Sequence, residues 1–307
     1  MSSKGESGNS IARDALNVAR GGLIGAAEIV PGVSGGTVAL VVGIFEDLIS
    51  AAGHVVTAAR LAVSGDRRTA GRVIRMAKWR TVIPALIGMV VAVVLGAKIL
   101  EPLIADHPVE ARAIFAGLIL ASLAVPYRMV GRWRAREIVA GVLAAVATLF
   151  LTGIPPANNP NPNLLFVAVI AAFAICALVL PGVSGSFIML SFGIYEATLG
   201  ALNDRNFTYI GVFLLGATIG LALFVKGLEY LLENHHRITL AVMTGLMAGS
   251  LRALWPWQDS DRNLLSPEQN WPQVTGLVFL GVAIVTALIW VAAKRESIKD
   301  DAAHPAP

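Results

Sequence analysis

Ser34 and Thr37 lie in the stretch EIVPGVSGGT, Glu28 to Thr37, and Ser184 and Ser186 lie in LVLPGVSGSF, Leu178 to Phe187. Proline removes an amide donor and disfavours helix at the residue before it, and glycines lower the cost of non-helical backbone. A helix that begins near Gly35 presents free N–H groups at its start, with Ser34 placed to be its N-cap. Amides beside hydroxyls suit an anion, and phosphate above all. The candidate phosphate-binding residues are therefore Pro31, Gly32, Val33, Ser34, Gly35, Gly36 and Thr37, with Pro181, Gly182, Val183, Ser184, Gly185 and Ser186 in the second stretch. The alternative is a hairpin whose glycines only let helices approach closely.

Charged residues near these stretches add a second kind of chemistry. Glu28 directly precedes the first break, whereas Leu178 holds the matching place in the second. Ionisable groups inside a membrane are expensive and usually functional, so Glu28, Glu46 and Glu196 are candidates for proton coupling or gating. Glu46 and Glu196 also read as helix-end acids. Lys98 with Glu101, and Lys226 with Glu229, have the i,i+3 spacing of an ion pair on one helix face. Lysine is also a phosphate partner, and the same lysines read equally as snorkelling span-end residues. His107 and His235 lack metal-site spacing, so no metal and no cofactor is expected.

The elements that must hold these residues are membrane helices. The 307-residue chain is 56% hydrophobic and 14% charged, with mean hydropathy +0.70, far from the roughly 25% charge of soluble domains. Apolar runs near the roughly 20 residues a bilayer requires recur along it. The polar start shows no signal-peptide pattern. Cys176, the single cysteine, excludes a disulfide within the chain.

The chain also repeats itself. Pro31–Glu46 and Pro181–Glu196 share nine of sixteen residues at an offset of 150, and Lys98–Leu123 matches Lys226–Leu251 at an offset of 128. The first half thus carries 22 extra residues, around His54–Lys78. The expected organisation is a cytoplasmic N-terminus over 1–11, a first repeat over 12–153 with a basic amphipathic insertion at 54–80, an external linker over 154–162, a second repeat over 163–293, and a cytoplasmic tail over 294–307. Five apolar segments per half, near 12–30, 36–52, 81–105, 111–130 and 136–153, then 163–180, 186–202, 207–233, 237–255 and 273–293, reverse the second half. The expected fold is an all-α polytopic membrane protein of two inverted-topology repeats, each a broken or re-entrant helical hairpin plus about three transmembrane helices. Arginine-rich loops at 60–80 and 128–136 then lie inside, with both termini, by the positive-inside rule. This charge distribution calls for no nucleic-acid partner.

GAAEIVPGVSGGTVALVVGIFEDLI and LVLPGVSGSFIMLSFGIYEATL closely resemble the two signature stretches of the bacterial polyprenyl-phosphate (undecaprenyl-phosphate) transporter family, formerly a membrane family of unknown function. The resemblance covers nearly all of 12–293. It implies a plasma-membrane translocase that returns the lipid carrier from the outer to the inner leaflet, with Pro31–Thr37 and Pro181–Phe187 at the head-group site. It assigns no role to Lys98, Lys226 or the histidines. The partners it implies are the lipid and the bilayer, and a homo-oligomer is compatible with it. Two rival functions fit broken membrane helices. A membrane polyprenyl-diphosphate phosphatase would be expected to carry an arginine in its Pro-Gly-x-Ser loop, where this chain has Gly35–Gly36 and Gly185–Ser186. An anion channel or small-anion transporter is the other.

Overall fold

The computed structural model describes residues 3–28 and 34–303, and the side chains of 13–28, 34–96, 106–287 and 289–290. Among the described residues, the regular structure is helical apart from one isolated bridge, Gln258 with Leu264. The first half holds α1 (Ser3–Glu28), α2 (Gly35–Val41), α3 (Phe45–Val63), α4 (Arg67–Met76), α5 (Trp79–Asp106), α6 (Pro108–Ser122), α7 (Ala124–Val130) and α8 (Ala135–Leu151). The second holds α9 (Leu164–Val179), α10 (Gly185–Ser191), α11 (Tyr195–Asn203), α12 (Phe207–Asn234), α13 (His236–Ser250), a short 3-10 turn (Leu251–Leu254) and α14 (Trp271–Ala303). Among the described residues, three helical stretches are long and apolar enough to cross a membrane, within α5, α6 with α7, and α12, or five if each bent pair counts as one span.

The expected segments 36–52 and 186–202 are each two helices. α2 turns into α3 by 118° and α10 into α11 by 104°. The turns fall at Gly43 and Gly193, both at φ +73, a backbone region where a side chain is strained. Each glycine ends its short helix through an N–H bonded three residues back, to Leu40 and Leu190 respectively. The 22 extra residues of the first half lengthen α3 beyond α11 and add α4. Asp66 caps α4 by accepting from the Thr69 N–H at 3.0 Å. Its arginines are exposed and Ala70 faces inward. α1 begins at Ser3, ahead of the apolar segment near 12–30, and α14 continues to Ala303, past the apolar segment near 273–293.

Small residues bring the long helices together. Side chains added at Gly21 and Gly25 would run into Ala85 and Met89, so α1 and α5 ascend in the same direction. Gly216 against Ala168 and Gly220 against Ala172 show the same for α9 and α12. The close approach of Gly88 to Val18 recurs as Gly216 to Ala168, at the sequence offsets of 128 and 150. α8 lies along α13, with Gly245 on Gly141 and Gly249 on Ala145, and α6 along α14, with Gly117 on Val278. Each half therefore lends a helix to the other.

Because α1 and α5 run the same way, the chain between them must come back to where it started. The Lys78–Asp47 pair at 2.6 Å, beside the start of α5, marks that return. In the second half, the N–H groups of Ala157 and Asn159 donate to Leu190 and Gly193. The end of α10 is thus level with the segment leading into α9. α9 and α10 therefore pack as a helical hairpin with the second motif stretch at its tip.

Candidate functional site

The two hairpin tips meet. The Ser34 hydroxyl donates to the Leu180 carbonyl at 2.8 Å, and the Gly182 N–H donates to the Thr37 hydroxyl oxygen at 3.0 Å. An added side chain at Gly36 would strike the Val179 carbonyl, so only glycine allows this approach. Ser34 and Thr37 are each 1% exposed, and Ser184 is 6% exposed. Ser184 and Ser186 are joined through their hydroxyls at 2.8 Å. Ser34 and Thr37 of the first motif thus bond the backbone of Leu180 and Gly182 in the second at a buried crossing, and the joined hydroxyls of Ser184 and half-buried Ser186 follow within the next four residues. Pro181, Val183, Gly185, Gly35 and Gly36 are buried in its walls. Pro31, Gly32 and Val33 lie outside the described residues.

Two local expectations need correction. Ser34 occupies the N-cap position of α2 with extended backbone, but its side chain makes no capping bond. The hydroxyl is committed to the other hairpin instead. The exposed amide is met by Glu28, whose Oε1 accepts from the Gly35 N–H at 2.9 Å. A carboxylate oxygen therefore stands where an anion was expected. α2 and α10 are also only seven residues each, about two turns, so hydroxyls and individual amides matter more here than a helix dipole.

Glu28 has a positional counterpart but no chemical one. A side chain at Gly35 would meet the Glu28 side chain, and one at Gly185 would meet the Cβ of Leu178. The two halves build the same corner, and only the first supplies an acid.

Among the described residues, no hydrogen bond or ion pair joins the other charged candidates to the crossing. Glu46 and Glu196 are exposed in the first turns of α3 and α11, where a negative charge complements the helix start. Lys226 and Glu229 form the expected i,i+3 pair at 2.6 Å on α12. The Glu229 carboxylate lies against Gly53 of α3, where an added side chain would collide with it. That contact joins the halves, and spacing alone gave no sign of it. The side chains of Lys98 and Glu101 lie outside those described. His107 and His235 are exposed, and no metal-binding group of His, Cys, Asp or Glu occurs among the described residues.

The role of Leu180 was not visible in sequence, because its contribution is a backbone carbonyl. Its side chain also lines an apolar cavity of about 800 Å³ between α9, α12 and α13. Phe173, Cys176, Leu223 and Leu231 line the same cavity, and it reaches His235. A polar crossing and an apolar groove thus adjoin at one residue.

A family model described as VCA0040-like, undecaprenyl phosphate translocase-like, matches residues 24–271. The chain is 34% identical over 241 residues to a polyprenyl-phosphate transporter of Vibrio cholerae, covering 78% of this chain and 77% of that one. It is 28% identical over 262 residues to a polyprenyl-phosphate transporter of Staphylococcus aureus, covering 78% and 86%. No solved structure matches. The matched region takes in both motif stretches and the crossing between them, and the chain belongs to the undecaprenyl phosphate translocase-like family.

Proposed function

We propose that the protein moves a polyprenyl phosphate of the undecaprenyl type from the outer to the inner leaflet of the bacterial plasma membrane. The observation that carries this is the crossing, where Ser34 and Thr37 of one motif bond Leu180 and Gly182 of the other, next to the joined hydroxyls of Ser184 and Ser186. A phosphate needs hydrogen-bond donors in a place that lipid cannot supply. The apolar groove beside Leu180 suits the isoprenoid chain, and the relatives' names point to the same lipid.

The halves are read as inverted repeats. α5, α6 with α7, α8, α12, α13 and α14 cross the membrane, and the α1–α2 and α9–α10 hairpins dip in from opposite faces. The recurring approaches 18–88 and 168–216 and the exchanged helices support this. With the basic loops on the cytoplasmic side, both termini are inside. Alternating access arises when the halves rock about the crossing.

Glu28 gives the cycle a proton-sensitive step. The Gly35 N–H can serve the Glu28 carboxylate or a phosphate oxygen, not both well, since two anions there would repel. Protonation of Glu28 weakens its hold on that amide and admits the phosphate.

The test is leaflet-resolved movement of a prenyl phosphate in proteoliposomes. Ser34→Leu and Ser184→Leu are each expected to reduce it to background. Wild-type rates in both variants would overturn the assignment of the crossing. Phosphate release from a prenyl diphosphate by the purified protein would favour the phosphatase instead.

A further inference from the structure

Above the far end of α10, away from the crossing, two arginines come together from different elements. Arg262 is at the tip of the loop closed by the Gln258–Leu264 bridge, with backbone φ 62. Its Nη1 donates to the Ser191 hydroxyl at 3.0 Å and to the Ile154 carbonyl at 2.7 Å. The guanidinium lies over the Phe187 ring, 4.0 Å from its centroid. Arg252, in the 3-10 turn after α13, donates from Nη2 to the Arg262 carbonyl at 3.4 Å. Its guanidinium covers Gly153.

Two like charges this close and partly buried are costly without a counter-ion. Burial, and secondarily the Arg252 charge, pushes the Arg262 guanidinium below its ordinary value. Among the described residues, no carboxylate pairs with either arginine. Asp259, in the same loop, accepts with both oxygens from Asn263. Arg262 uses only Nη1 in its hydrogen bonds, and Arg252 only Nη2. Each keeps N–H donors in the planar fork that fits phosphate oxygens. Arg252 also has no counterpart in the first half, where Ala124 holds its place. The repeat symmetry therefore does not require it.

We infer that Arg252 and Arg262 form a binding site for a phosphate monoester at the loop-bearing end of the second hairpin. This rests on the proposed function for its place in a cycle. Ser191 and Ser184 lie at opposite ends of α10, about 10 Å apart by helix rise. A head group captured by the arginines is one short helix away from the crossing. The arginines would act on capture from that leaflet, not on passage through the tips.

Binding of farnesyl phosphate, farnesol and inorganic phosphate to the full-length protein in nanodiscs tests this directly. Arg252→Gln and Arg262→Gln are each expected to weaken farnesyl phosphate binding about tenfold or more. Farnesol binding should stay unchanged. Arg252→Gln is the more decisive variant, because it breaks only one long backbone bond. Arginine-dependent binding of inorganic phosphate at equal affinity would identify free phosphate as the ligand, and weaker binding the lipid head group. Unchanged farnesyl phosphate affinity in Arg252→Gln with unchanged melting temperature overturns the inference. In proteoliposomes, KM for lipid loaded at the loop-bearing face should rise about tenfold in that variant, with KM for the opposite face unchanged. Equal rises at both faces would mark a merely structural role. Arginine-dependent binding without any leaflet movement in the wild type would overturn the transport reading and leave this site standing. Leaflet movement with arginine-independent binding would do the reverse.

Discussion

Thr37 shows how one side chain can hold two hairpins together. Its hydroxyl oxygen accepts from the buried Gly182 N–H, and valine would leave that donor without a partner. Thr37→Val is expected to destabilise the protein by about 1–3 kcal/mol, seen as a lower melting temperature in detergent. Glu28 presents a different test. Glu28→Gln keeps an oxygen acceptor for the Gly35 N–H but cannot take up a proton. The fold should persist while the pH dependence of lipid movement flattens; an unchanged pH profile in proteoliposomes would remove Glu28 from the coupling role. The identity of Glu28 as the special acid could be read from its mismatch with Leu178. Its partner could not, because the acid and the amide it meets are separated by a chain reversal.

At the scale of elements, small-residue seams decide which helices lie together. Gly245 of α13 meets the Gly141 backbone of α8, so Gly245→Leu should force the two helices apart. The expected result is loss of the folded, monodisperse protein on size-exclusion chromatography, whereas Gly276→Ala, where an added side chain meets nothing, should be tolerated. α4 depends instead on its start. Thr69 holds the Asp66 carboxyl below its ordinary value by hydrogen bonding. The charged carboxylate is the capping form, so its contribution is present above the ordinary aspartate range and is lost as the pH falls through the depressed folded-state value. Protection of the Thr69 amide, measured against its intrinsic exchange rate at each pH, should fall in acid, and Asp66→Ala should lower it at neutral pH. The long apolar helices were legible because period and length reveal them. The breaks at Gly43 and Gly193 were not, because a glycine in an apolar run serves equally for close packing or for a turn, and only the backbone angle distinguishes the two.

For the whole molecule, the arrangement predicts a fixed sidedness. In a Cys176→Ala background, Asn158→Cys and Ser260→Cys should react with an impermeant thiol reagent from outside intact cells. Ser64→Cys should react only after permeabilisation. Labelling of all three from outside would reject the proposed orientation.

The sequence by itself determined the helical membrane class, the two matched stretches and the family they resemble, because apolar length and repeated motif are local or linear properties. It also marked four hydroxyls as the residues to watch. Tertiary structure decided what those hydroxyls do. Ser34 reaches across to Leu180 rather than capping its own helix, and Thr37 receives an amide 145 residues away. It also placed the Glu28 carboxylate on the Gly35 amide and Arg262 above Ser191. The physical reason is that a buried polar group takes whichever partner the packed helices bring within reach. Motif spacing fixes the groups available along the chain, while the crossing of two hairpins fixes which of them meet.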